Sequence, residues 1–65
     1  MCESKAVLIV NGREEKIMDD VALLEIGDEK ITLKNIMGDV LEVNYALLKI
    51  DFLNHKIVFV KKIVC

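Results

Sequence analysis

Turn-forming residues recur along this chain too often to leave room for long helices, and their spacing suits a series of short strands. Asn11-Gly12, Asp19-Asp20, Gly27-Asp28, Gly38-Asp39 and Leu53-Asn54-His55 punctuate the sequence. Turn signals at intervals of roughly eight to twelve residues mark a small all-β barrel or sandwich. Asn11-Gly12 is the strongest of them, because both central positions of a type I′ hairpin turn need φ > 0.

The segments between the turns read as strands. Lys5 to Val10 is a short apolar run, and Arg13 to Met18 is its polar return strand, suited to a solvent-facing edge. Asp19-Asp20 is expected to break that strand. Val21 to Ile26 has an ambiguous period and fits either one helical turn capped by Asp20 or a strand. Glu29 to Asn35 and Val40 to Tyr45 alternate cleanly and form a second hairpin across Gly38-Asp39. Leu47 to Phe52 and Lys56 to Val64 complete the set. The last strand carries Ile57 and Phe59 on one face and Val58 and Val60 on the other. A strand that is apolar on both faces needs cover on both. The expectation is an all-β fold, a small SH3-like barrel of about six short strands, filling residues 1–65 as one domain with no repeat and no linker.

Size makes that barrel precarious. A chain of 65 residues buries only about 60% of the surface it exposes when unfolded. Yet 54% of its residues are hydrophobic, a high share for its length. The excess points to a second chain, a metal, or both as a source of stability. The doubly apolar segment Lys56 to Val64 is the surface expected to meet that second chain.

Charge and hydropathy narrow the function. Nine Lys and Arg stand against eleven Asp and Glu, a net charge of −2. Nucleic-acid binding draws much of its affinity from neutralising phosphates, so this balance counts against it. No apolar run reaches the 18 or so residues that a membrane helix needs. The apolar stretch Ala6 to Val10 is too short for the core of a signal peptide. A cytoplasmic protein is expected.

Few groups are available for chemistry. There is one histidine, no Gly-rich phosphate loop and no Asp-x-Asp calcium pattern. A catalytic set would have to recruit His55 from a turn, so the chain is not expected to be an enzyme. His55 itself reads as a solvent-exposed turn residue, with no partner at ligand spacing. Cys2 and Cys65 sit at the two ends, outside any Cys-x-x-Cys pair. A reducing compartment favours free thiols over a bridge between them. Cys65 reads as a solvated end, with chelation by its thiol and terminal carboxylate a minor alternative.

Cys2 offers more. Initiator methionine is generally removed when the second residue is small. A chain beginning at Cys2 would present an α-amine and a thiolate that close a five-membered chelate ring. Two such ends from a symmetric dimer make an N2S2 set, and square-planar sets of this kind suit nickel(II) or copper(II). If Met1 is retained, its amine, the Cys2 amide nitrogen and the Cys2 thiolate form two fused rings instead. On the residues alone, a small side chain without a role at a frayed terminus is the simpler reading of Cys2.

The opening Met1-Cys2-Glu3-Ser4-Lys5-Ala6, followed by an apolar strand, resembles the start of the CooT family of small nickel-binding proteins. The likeness continues through Asn11-Gly12-Arg13-Glu14-Glu15, Asp19-Asp20-Val21, Ile36-Met37-Gly38-Asp39 and the stretch from Asp51 to Val60. The Met-Cys start is its specific element, while the rest are apolar and turn patterns that many barrels share. The resemblance implies a small β-barrel, a homodimer and nickel held at Cys2, in an accessory protein that serves maturation of a nickel enzyme such as carbon monoxide dehydrogenase. It transfers no role to Cys65. Chelate chemistry and resemblance converge on Cys2, which puts the nickel site ahead of the simpler reading. The alternative is a small barrel that binds RNA or protein without metal.

Overall fold

The structure, a computed structural model, describes residues 4–62. Among the described residues there are six strands and no helix: β1 (Ser4–Val10), β2 (Arg13–Ile26), β3 (Ile31–Asn35), β4 (Val40–Val43), β5 (Ala46–Asp51) and β6 (Lys56–Val60). They form one sheet in the order β4-β3-β2-β1-β6-β5. All neighbours are antiparallel except β1 and β6, which run parallel with Val7 beside Val58 and Leu8 beside Phe59.

Two local features curl this sheet into a half-barrel. The first is β2, a 14-residue strand that serves two sets of partners. Its first half pairs with β1, and the stretch from Val21 to Ile26 pairs with β3. Asp19-Asp20 does not break it, as the sequence suggested. Asp20 instead takes φ 54° where the register shifts against β1, and a second shift, against β3, follows between Val21 and Leu23. Such bulges bend a strand and raise its twist without ending it. The ambiguous segment from Val21 onward is therefore strand, and Arg13 to Met18 pairs with β1 alone, so its other side is a solvent-facing edge as its polar sequence suggests.

The second feature is the connection from β4 to β5. These two strands lie at opposite ends of the sheet, yet only Asn44 and Tyr45 separate them in sequence. So short a link is compatible only with a sheet that curls round until its ends meet at that corner. Lys62 braces the corner, its Nζ donating to the Glu29 carbonyl oxygen at 3.0 Å and to Asn44 Oδ1 at 3.4 Å. The result is an all-β half-barrel of the small SH3-like kind.

The concave face holds the core: Ala6, Leu8, Val21, Ile31, Leu33, Val43, Ile57 and Phe59. Phe59 is 0% exposed and has the Tyr45 ring 6.5 Å away, tilted by 53°. The parity of β1 and β6 places Val7 and Val58 on the other face, where they are only 2% and 1% exposed. Their register neighbours there are Lys16 and Lys49. Glu14 lies opposite Ile9 and Lys56 beside Lys5, so the 2.7 Å ion pair between Lys56 and Glu14 spans β1 over Val7. Val7 and Val58 thus have long charged side chains as neighbours, a type whose stems can cover apolar surface while the charged ends stay in water.

Ile57, Val58 and Phe59 are thus buried within the chain, so the apolar faces of these three residues are not available to the partner that the sequence reading placed on this segment. The last strand is also shorter than expected, ending at Val60; Ile63 and Val64 lie outside the described residues. The exposed apolar residues lie elsewhere, with Leu48, Ile50, Phe52 and Leu53 on and after β5 and Ile36, Met37 and Val40 around the β3–β4 turn.

Candidate metal-binding end

The two candidate ligand residues from the sequence, Met1 and Cys2, lie outside the described residues, as does Cys65. What the structure describes is the anchorage next to Cys2. Ser4 pairs with Val21 of β2, and the Lys5 amide donates to the His55 carbonyl oxygen at 3.0 Å. Lys5 then enters the parallel ladder beside Lys56. The chain is therefore fixed to the sheet two residues from Cys2, at the end of the half-barrel where the β5–β6 turn projects.

That turn is built by its own polar groups. Asp51 accepts from the Asn54 amide at 3.0 Å through Oδ1 and from Asn54 Nδ2 at 2.8 Å through Oδ2. The Asn54 side chain, followed by the Asn54 amide, holds the Asp51 carboxyl below its ordinary pKa. A depressed folded-state pKa contributes stability that is complete above the unfolded value, about 3.9, and is lost as pH falls through the folded one. Asp51→Asn is accordingly expected to flatten the acid limb of a stability–pH curve. Urea midpoints from pH 7 down to pH 2 would test this, and parallel acid limbs in the two proteins would count against it.

His55 closes the turn at φ 55°. The turn position agrees with the sequence reading, although the residue is half-buried rather than fully exposed. Its carbonyl, through the bond to Lys5, ties the turn to the start of β1. Among the described residues, Asn11, Asp20 and His55 are the non-glycine residues at positive φ, and all three are types enriched in that region. His55→Gly keeps the carbonyl and relieves the backbone, but it also frees the unfolded chain, and the two effects, each about 1 kcal/mol, offset one another. A denaturant midpoint that corresponds to a change of more than about 1 kcal/mol in either direction would refute that.

Beside the turn lies a shallow depression of about 200 Å³ lined by Ser4, Val21, Ala22, Leu23, Leu24, Ile50, Phe52 and Ile57. It brings together residues from β1, β2, β5 and β6 that sequence reasoning did not connect. The juxtaposition follows from the bulged strand β2 and the parallel pairing of β1 with β6, and neither leaves a local mark in the sequence. Among the described residues, no three His, Cys, Asp or Glu side chains come together as a group able to hold a metal ion. The donors considered for nickel are accordingly those of the Met1-Cys2 segment.

Comparison with known proteins gives the following. A family model described as CO dehydrogenase accessory protein CooT matches residues 1–59, a span that includes the Met1-Cys2 start. Among solved structures, one assigned as a CooT from Carboxydothermus hydrogenoformans superposes with a TM-score of 0.86. It is 23% identical, and the match covers 94% of this chain and 98% of that one. At that identity the likeness speaks for the fold. No curated protein matches the sequence.

Proposed function

This chain belongs to the CooT family of CO dehydrogenase accessory proteins, and from that premise we propose that it holds nickel(II) at Cys2 for maturation of a carbon monoxide dehydrogenase. The observation that carries the proposal is the reach of the family match to residue 1, so that Met1-Cys2 belongs to the matched pattern. Three kinds of support stand beside it.

The first is donor chemistry. A terminal amine or amide nitrogen and a thiolate on adjacent positions form small chelate rings. Thiolate and nitrogen donors in a square plane suit nickel(II). The protein binds its cargo as the two groups lose their protons, so affinity rises with pH across the amine and thiol pKa range, about 7.7 to 8.5.

The second is placement. A carrier must release what it holds, and a ligand pair near a strand end gives a client closer access than a closed four-ligand cage inside a barrel. The Ser4–Val21 pairing and the Lys5–His55 bond fix the chain to the sheet from the second residue after Cys2 onward. The barrel's part is to present the cargo.

The third concerns partners. The exposed Leu23, Ile50 and Phe52 border the depression that Ser4 also lines, two residues from Cys2. A second copy seated there would cover apolar surface and bring its own Cys2 toward the first, which supports a homodimer with nickel shared between two Cys2 ends. Intact mass and nickel titration together test the donor set. Mass reports whether Met1 is kept. One nickel per two chains supports the shared site, and one per chain supports a local site at each terminus. An isotherm that shows no nickel uptake at pH 8 would remove the proposal altogether.

A further inference from the structure

We propose that the β5–β6 turn is a docking knob for a second copy of this chain, in which Phe52 enters the partner's depression between β2 and β5. This docking mode rests on the homodimer of the preceding reading and specifies its surface.

Phe52 is 81% exposed and its neighbour Leu53 is 89% exposed. Two consecutive large apolar side chains left almost wholly in water are a liability for a small chain unless something covers them. They are also held in place. The Asp51 carboxylate binds both nitrogens of Asn54, and the His55 carbonyl is tied to Lys5, so the turn that carries them is fastened at both ends. A knob fixed in this way loses little conformational entropy on binding.

The hole stands next to the knob. Phe52 is on the rim of the depression of about 200 Å³, whose other walls are Val21, Ala22, Leu23, Leu24, Ile50 and Ile57, with Ser4 as the single hydroxyl. A knob beside its own hole is self-complementary under a two-fold axis, because the rotation that seats one Phe52 in the partner's depression seats the partner's in the first. Each seated aromatic ring buries roughly 150–250 Å². Leu53, Ile50 and Leu23 from both copies extend the contact toward the ~1,000 Å² that a specific interface requires. The apolar character of the walls selects another apolar surface over a charged or phosphorylated ligand.

The test uses the full chain and two surface substitutions. Phe52→Ser removes the knob. Ala22→Lys, at an exposed position on the wall, plugs the hole and leaves the knob intact. Sedimentation and light scattering over a dilution series should give a dimer for the parent. Each variant should show a dimer Kd raised by at least about 30-fold, the loss typical of a central interface residue. Circular dichroism should show the β-sheet signal kept in both. Variants as dimeric as the parent, or a parent that is monomeric throughout, overturn the docking mode. Nickel titration of the parent and of Cys2→Ser, done alongside, tests the metal reading separately. A parent that binds nickel through Cys2 and stays dimeric with Phe52→Ser discards the knob and keeps the site.

Discussion

Cys2→Ser is expected to lower nickel affinity by on the order of 100-fold or more while leaving the fold unchanged. The lower bound follows from magnitudes elsewhere: loss of a partner that merely orients a metal ligand costs 10- to 100-fold, so loss of the ligand itself must cost at least as much. A hydroxyl is no substitute for the thiol, because it does not give up its proton near neutral pH and is a harder donor. The fold is spared because the core begins at Ala6 and the first described contact of the chain is at Ser4. Titration calorimetry with nickel at pH 8 reads the affinity directly. The parent should weaken steadily as pH falls below about 8, since protons then compete for the amine and thiolate. The variant should lose the part of that pH dependence that belongs to the thiol. A variant that binds nickel as tightly as the parent, with the same pH profile, would show that the donors lie elsewhere.

Much of the architecture could be read from the sequence because it is locally encoded. Asn11-Gly12 specifies its hairpin, and Asn11 and Gly12 take φ 53° and 78°. Gly38, at φ 90°, does the same between β3 and β4. The alternation of Ile31 and Leu33 with Thr32 and Lys34 placed the core side of β3 correctly, both apolar residues being buried. What failed was non-local. Asp19-Asp20 looks like a stop signal, and only pairing on both sides of β2 turns it into a bend. Val58 looks like an interface residue until lysines from neighbouring strands are seen beside it. The candidate site divides in the same way. The ligand chemistry of Cys2 is visible in two adjacent residues. The surface next to it is assembled from four strands, and β1 meets β6 only through a parallel pairing of residues some fifty positions apart.

Phe59→Ala should unfold the protein at moderate temperature, the largest stability effect expected of any single change. Phe59 is fully buried and is the largest side chain in the core to be so. It faces the Tyr45 ring, lies beside Leu8 in the parallel ladder and is paired with Leu47 across β5. Truncating a buried phenylalanine removes its transfer energy and leaves a cavity, a loss of about 3–5 kcal/mol. A single core in a chain below 70–80 residues rarely supplies more than about 3–5 kcal/mol in total. The two magnitudes are equal, so one substitution is enough to use up the whole margin. Collapse around the cavity offers little relief, because β6 is held between β1 and β5 and cannot shift without breaking both ladders. In a domain of this length each kcal/mol moves the midpoint by about 4–8 °C, so a fall of more than about 12 °C is expected. Thermal melts followed by circular dichroism provide the measurement. A midpoint within a few degrees of the parent would mean that the monomer core is not the main source of stability, and that contacts between chains carry the fold instead.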